Sequence, residues 1–487
     1  MKMSMVVVGF SNMADNNVEL QYYSSKGIDT YSNPLNNDGA LIHAVNVVSW
    51  PYGAKSKRTG YSTFLGTAEG SQVQSLFSFP NIGNDSTKLN LYRASGSSLY
   101  YSLQGTGEWT LSGNGTITPN GHFGYAILDN VLIGGDGVTN SRHTTDGTSF
   151  TDTTLAPKAE FWEQFQNRIY AGGTESTLFY STTNDATNWN TSGTSDSSSL
   201  EVPGPGKMGR IFKVADKLNA TKSTGMIQKW DGYSLIDLST NYGPSSPYSF
   251  AKSEGYGFFL NQLGHYGYGG GNPQLLSNSI QRQFYNNAST GISGTLFSTI
   301  PAEVHKYDYL ASVGTITDDF TSRSISNAII KYDYQKNEYL NWSFANNPTS
   351  YLSYKDVNGV QQLIFGDSSG QCYQMDNTTS DNGSAIPCEM VFVFNHRSPH
   401  IEKQWRWWRG FFNPGCEAKV QVACSDTYTY QSLIWKDIGD CSDGFCEFRF
   451  PEGSRSRLLF VRIYESSKNS RMTFYGQEIS AILNPVW

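Results

Sequence analysis

The chain has 487 residues, with 35 Lys and Arg against 42 Asp and Glu, so its formal net charge is −7 before histidines are counted. Charged residues are 16% of the chain, where about 25% is usual, and 48 Gly, 30 Tyr and 27 Phe take the place of helix-forming Lys, Glu and Ala. That balance excludes helical bundles and coiled coils, and with them a polybasic anchor for DNA or anionic membranes.

Aromatic residues and Thr favour strands, while Gly, Asn, Asp and Ser favour turns, so the composition predicts an all-β protein of short strands and tight turns. No stretch approaches the roughly 18 apolar residues of a membrane helix, and the apolar start at residues 5–10 is too short for a signal-peptide core. The sequence therefore predicts a soluble chain that is not secreted by that route.

Residues 1–59 precede the regular part and are expected to close it or to touch a neighbour. Residues 91–95 then read as a strand that turns at Gly96 into 98–101, with Trp109 closing the unit. Next comes an internal repeat: a shift of 38 residues lays 127–135 over 165–173, placing Asp129 on Asn167 and Gly134-Gly135 on Gly172-Gly173. The same shift puts Thr144-Thr145-Asp146 on Thr182-Thr183-Asn184, and each copy ends in an aromatic, Phe150 or Trp189, displaced by one position. Each copy reads as strand, polar turn, strand, Gly-Gly turn, strand. That period is close to the roughly 40 to 45 residues of a propeller blade, and radial repetition leaves an all-β protein with only short sheet edges.

Further units follow at 212–220 with 226–232, at 257–260 with 266–268, at 328–334 with Trp342, and at 362–376. These readings predict a β-propeller of about six blades over residues 60–380. Residues 377–384 form a polar connector. Beyond it, strands at 389–394, 405–412, 418–423, 445–450, 458–464 and 472–482 predict a smaller β-sandwich-like domain over 381–487.

Three stretches in order carry a resemblance: Lys229-Trp230-Asp231-Gly232; the Gly-rich aromatic run from Glu254 through Gly264-His265-Tyr266-Gly267-Tyr268-Gly269-Gly270-Gly271 to Ile280; and the strand 328–334 with Trp342 and Gly366-Asp367-Ser368-Ser369-Gly370. Together they resemble the tail hub or nozzle proteins of short-tailed bacteriophages, the packaged-DNA stabilisation proteins. The resemblance covers roughly residues 205–376, with fainter echoes at 60–65 and 458–482. It implies a non-enzymatic virion protein, assembled in the host cytoplasm, in which six copies ring the tail axis below the portal and adaptor. Tail fibre, spike or needle proteins are further implied partners, and DNA is held above the ring and then passes through it without sequence reading. No catalytic residue, metal or cofactor is implied. Asn219-Ala220-Thr221-Lys222 is more polar than such a strand usually is, which predicts a distorted blade. The net charge further predicts that side chains facing the DNA channel are acidic or uncharged, because a basic wall would hold phosphates and slow transit.

Several motifs read as structural. Thr144 to Phe150 is similar to the Asp-containing hairpin turns of sialidase propellers, in which the Asp caps its own turn. Gly267-Tyr268-Gly269-Gly270-Gly271 is followed by Asn272-Pro273, a turn signal, and not by the helix a phosphate loop needs. His396 and His400 are four apart, but Pro399 between them breaks the helix that a metal pair would need. The six cysteines, Cys372, Cys388, Cys416, Cys424, Cys441 and Cys446, lack zinc spacing and read as buried reduced thiols, with a Cys441–Cys446 bridge left open.

Trp405-Arg406-Trp407-Trp408-Arg409 is the candidate interface. Strand alternation would put Trp405 and Trp407 on one face and Arg406 and Trp408 on the other, with Trp405, Trp407 and Trp408 serving core and subunit contact. The rival reading is a glycan-binding or glycan-cleaving host-recognition propeller, which clustered aromatics and two carboxylates in a central pocket would favour.

Overall fold

The computed structural model describes residues 17–22, 27–30, 38–51, 53–173, 175–230, 234–253, 255–284, 291–318, 320–375, 378–396 and 399–484. It is all-β: the helices among these residues are short 3-10 turns, the longest Ser277–Gln283, and none is long and apolar enough to cross a membrane.

Six separate four-stranded antiparallel sheets form the blades of a propeller. Their innermost strands are Val73–Pro80, Gly124–Leu128, Phe161–Phe165, Met208–Val214, Ala251–Ser253 and Ser350–Lys355. Between the last two, Ala302–His305 takes a seventh place in the ring, heading the run Asp308–Thr317, Ser324–Asp333, Glu338–Ser343. All seven inner strands line one central cavity. The ring is closed by Tyr61–Thr63, which pairs with Cys372–Met375 as the outermost strand of the last blade.

Turn chemistry explains the inner hairpins. Asp129-Asn130, Gln166-Asn167 and Ala215-Asp216 each have both residues at positive φ, the backbone of the two-residue turn whose twist matches its strands. At the next turn Asp146 Oδ1 accepts the amides of Thr148 and Ser149 at 2.7 and 3.0 Å. In the following blade Asp185 does the same for Thr187 and Asn188 at 2.8 and 3.2 Å, above buried Phe150 and Trp189 respectively. The repeat is therefore real but not of one length. The hairpins align Leu128 with Phe165 and the turns align Asp146 with Asp185, one residue to either side of 38, so Asp185 and not Asn184 is the counterpart of Asp146.

The polar strand Lys217–Lys222 is buried from Leu218 onward and bonded. Tyr268 Oη donates to Asn219 Oδ1 at 2.6 Å, and Thr221 Oγ1 donates to the Arg210 carbonyl at 3.3 Å. The distortion expected in this blade falls on its partner, where the register shifts by one residue between Met208 and Ile211.

The seventh sector does not end as a blade. Glu338–Ser343 meets Ala40–Val45, and the sheet runs on through Cys388–Phe394, Leu458–Glu465, Lys419–Ser425 and Lys436–Asp440 to ten strands. A second sheet of seven joins Val47–Val48, Lys55–Lys57 and Asn17–Tyr22 to Thr473–Asn484, Glu402–Phe412, Phe445–Arg449 and Arg455–Ser456. All six strands expected after residue 388 are present, but they are interleaved with strands from the N-terminal region. One apolar cluster includes Phe392, Val461, Trp408, Phe474 and Ile479 of the two large sheets together with Tyr309 and Ile330 of the seventh sector.

What ties the N-terminal region down is a run of buried cations. Lys55, Lys57 and Arg58 are each no more than 2% exposed. Lys55 Nζ bonds the Glu338 carboxylate, and burial pulls its pKa down against that carboxylate's pull upward. Lys57 Nζ lies 3.4 Å from Glu465 and donates to the Ser470 carbonyl at 3.1 Å. Arg58 grips both oxygens of Asp381, at 2.8 and 2.5 Å, and donates to Asn46 Oδ1 and the Ser343 carbonyl at 2.7 Å each. Two residues on, a Cβ at Gly60 would lie 2.0 Å from the Ser380 carbonyl oxygen, so only glycine fits there.

Replacing Arg58 with Met strands the Asp381 charge in the interior. The expected loss is about 3–5 kcal/mol in urea unfolding, with most of it recovered in the double variant Arg58→Met/Asp381→Leu.

Candidate functional site

The central cavity has a volume of about 500 Å3, within the roughly 300–1,000 Å3 range of small-molecule sites. His122, Glu160, Glu163, Arg210, Tyr248, Lys252 and Glu303, from five of the seven inner strands or the turns entering them, lie in it. Close packing of neighbouring blades sets the frame. A Cβ at Gly124 would lie 1.8 Å from the Glu160 carbonyl oxygen, so glycine there lets the second and third blades meet and fixes the backbone that carries Glu160.

Two carboxylates are committed. Tyr248 Oη donates to Glu160 Oε1, and the His122 ring stacks on Tyr248 with centroids 3.7 Å apart. Lys252 Nζ lies 3.0 and 2.9 Å from the two oxygens of Glu163. Burial raises the pKa of Tyr248, with the adjacent Glu160 adding to it, so the hydroxyl stays protonated. Burial pushes His122 down to about 4, with Arg210 contributing, and the ring stays neutral. Burial also raises Glu160 and pushes Glu303 up to about 7.

Arg210 is different. Its guanidinium makes no hydrogen bond or ion pair among the described residues and sits 5.8 Å from the centre of the Phe161 ring. Burial lowers its pKa, and Glu163, Tyr248, Glu303 and Glu160 pull it back up. Two other polar atoms on the lining also lack partners: Gln74 Oε1 and Ser350 Oγ. Arg210 is the one arginine on this lining, so the arrangement offers a single guanidinium fork and not an arginine cluster. Among the described residues no group of three or more His, Cys, Asp or Glu is placed to hold a metal.

The residues singled out from sequence lie elsewhere. Trp405 and Trp408 are both buried inside this chain, at 1% and 0% exposure. Trp405 Nε1 donates to Ser456 Oγ at 2.8 Å and Trp408 Nε1 to Gln477 Oε1 at 2.6 Å. The expected faces are corrected: a bulge between Trp405 and Trp407 breaks the alternation, so Trp405 and Trp408 face the core together while half-buried Trp407 lies under the Arg409 guanidinium at 4.1 Å. Such a bulge inserts one extra residue and flips everything beyond it.

Asp146 and Asp367 cap their own turns, Asp367 through the amides of Ser369 at 2.9 Å and Gln371 at 3.0 Å. Gly264–Tyr268 is a strand followed by a bend and no helix. His396 sits in a turn at positive φ; Arg397 and Ser398, like Asp231, Gly232, Glu254, Asp376 and Asn377, are outside the described residues. Cys441 and Cys446 are joined in a disulfide. The expectation of six reduced thiols therefore holds for Cys372, Cys388, Cys416 and Cys424 only. Cys441 and Cys446 flank a tight turn that brings their Cα atoms within 5.2 Å, inside the range a bridge can span.

No protein-family model matches the chain, and no curated protein matches it. Among solved structures it is similar to the computationally designed Ika8 protein, with 13% identity and a TM-score of 0.40 over 72% of this chain and 99% of that one. It is also similar to the Neurospora crassa Pan2 WD40 domain, with 8% identity and a TM-score of 0.41 over 65% and 95%.

The raised Glu303 carboxyl has a pH signature. Its folded pKa, about 7, lies above the ordinary 4.5, so the folded state holds the proton more tightly and the stability this gives is lost as pH rises through that window. Melting temperatures of the wild type should therefore fall relative to those of Glu303→Gln between about pH 4.5 and 7, and the difference should level off above it.

Proposed function

We propose that this chain is a non-enzymatic structural subunit of a short phage tail, a hub or nozzle protein. In this reading six copies form a ring below the portal and adaptor, retain the packaged genome, and conduct it on ejection towards fibre, spike or needle proteins. The observation that carries the reading is the ten-stranded sheet: through the parallel pairing of Val45 with Asn341 the seventh sector continues into strands from the N-terminal and C-terminal regions. A subunit that bears the load of confined DNA needs its propeller joined to the rest of the chain, and ring contacts need large surfaces. In this reading the strands of residues 381–487, which the two large sheets share with N-terminal strands and the seventh sector, make the sandwich-like part.

The propeller's own cavity, about 500 Å3, holds a small molecule and not a duplex, so the DNA channel of this reading lies between copies and is lined by acidic or uncharged side chains. For contacts between copies the outer face of the seven-stranded sheet offers half-buried Trp407 and exposed Phe411 and Phe445, whose rings are 5.6 Å apart. Among them Arg409 pairs with Glu447 at 2.8 Å.

A second reading, a glycan-binding propeller, is favoured by one observation: Glu160, Glu163 and Glu303 share the cavity with Tyr125, Phe161, Trp162 and Tyr248.

Negative-stain imaging of the purified protein should show six-fold rings with an axial hole, and Trp407→Ala should shift the mass distribution towards monomer. A monomer at every concentration, with no ring, would overturn the hub reading.

A further inference from the structure

We propose that the central cavity binds a small sugar acid, its carboxylate held by the Arg210 guanidinium and its hydroxyls by the surrounding polar side chains. The inference gives a ligand to the glycan-binding reading and rests on it; it does not depend on ring formation.

Arg210 is placed by a local irregularity. The strand Met208–Val214 pairs Met208 with Lys222 and Ile211 with Ala220, so one extra residue is accommodated at Gly209-Arg210. The first blade repeats the device: Val73 pairs with Ser95 and Ser75 with Ala94, leaving Gln74 as the extra residue. Bulges re-aim side chains and are common beside binding sites. Here both bulged residues line the same cavity: the Arg210 guanidinium makes no hydrogen bond or ion pair among the described residues, and Gln74 Oε1, closed off from solvent, has no partner.

The charge pattern selects the anion. A guanidinium presents parallel donors that fit a carboxylate bidentately. Glu163 is paired with Lys252, whereas Glu160 accepts from the neutral Tyr248 hydroxyl, so Arg210 is the cation of the lining that is not held in an ion pair. Against the Glu160, Glu163 and Glu303 carboxyls a phosphate dianion brings two negative charges and a carboxylate one, so the carboxylate meets less repulsion.

The rest of the lining selects hydroxyls. Gln164, Glu163, Glu303 and Ser353 border the space, offering both donors and acceptors. Phe161 and Trp162 add apolar surface of the kind sugar rings cover.

The test is calorimetric titration of the full chain with glucuronate and galacturonate, against glucose and galactose as neutral counterparts and inorganic phosphate as the rival anion. The uronates should bind and the neutral sugars bind at least about tenfold more weakly, since a charge-assisted bidentate contact is worth that much or more. Arg210→Met should remove the preference and Arg210→Lys restore part of it, with melting curves confirming that both variants fold. Trp407→Ala should bind uronates like the wild type. Equal affinity for acid and neutral sugars would overturn the inference and leave the glycan reading standing. Binding of phosphate in preference to uronates would overturn it too, and no binding of any sugar would overturn both.

Discussion

Three cations within four residues organise this molecule. Lys55, Lys57 and Arg58 are buried, and their carboxylates come from three distant places: Glu338 in the seventh sector, Glu465 in a C-terminal strand, and Asp381 just after the last blade. An ion stripped of water costs several kcal/mol unless a partner with good geometry replaces the solvent. No one of these contacts can be left open without stranding a charge, so the N-terminal segment, the propeller and the C-terminal strands must come together in one arrangement. Ion pairs of this kind specify more than they stabilise, and what they specify here is which strands meet across the two large sheets.

Much of the propeller was legible because its determinants are local. Two-residue turns with Asp, Asn or Gln, capped Asp hairpins and alternating apolar strands leave their mark within ten residues of sequence. Some C-terminal strands were equally plain, as in Phe392 and Phe394 or Val420 and Val422, two positions apart. What was not legible is non-local. Nothing near Lys55 announces that Glu338 waits for it, and a Lys-Ser-Lys-Arg run reads as a solvated face until the fold buries it. The merging of the seventh sector with the terminal strands depends on pairing between residues such as Val45 and Asn341, which no periodicity encodes. The tryptophan faces were misassigned for a related reason: one extra residue at the bulge inverts a strand, and the sequence Trp-Arg-Trp-Trp carries no sign of where it falls.

The cavity residues escaped for the same cause at larger scale. Glu160, Arg210, Tyr248, Lys252 and Glu303 are spread over nearly 150 residues and come together only because each lies on, or at the entry of, an inner strand. Their unit positions could have been inferred by laying successive repeats on one another and asking which polar residues recur at the innermost strand. The variable repeat length hides that register, and bulges at Gln74 and Arg210 displace two of the positions that matter most.

The closing strand connects these observations. Tyr61–Thr63 completes the last blade only three residues beyond Arg58, and Gly60 allows the chain between them to pass against Ser380. Closure of the ring and neutralisation of the buried cations are thus steric and electrostatic halves of one event. A propeller held by strand pairing alone could open at its seam, because three residue pairs are few. Here opening the seam would also pull Arg58 from Asp381. The circular geometry that positions seven inner strands around the cavity is therefore locked from outside it, by charges that do not face the cavity. This leaves the Arg210 guanidinium inside free of any structural duty that would consume its hydrogen bonds.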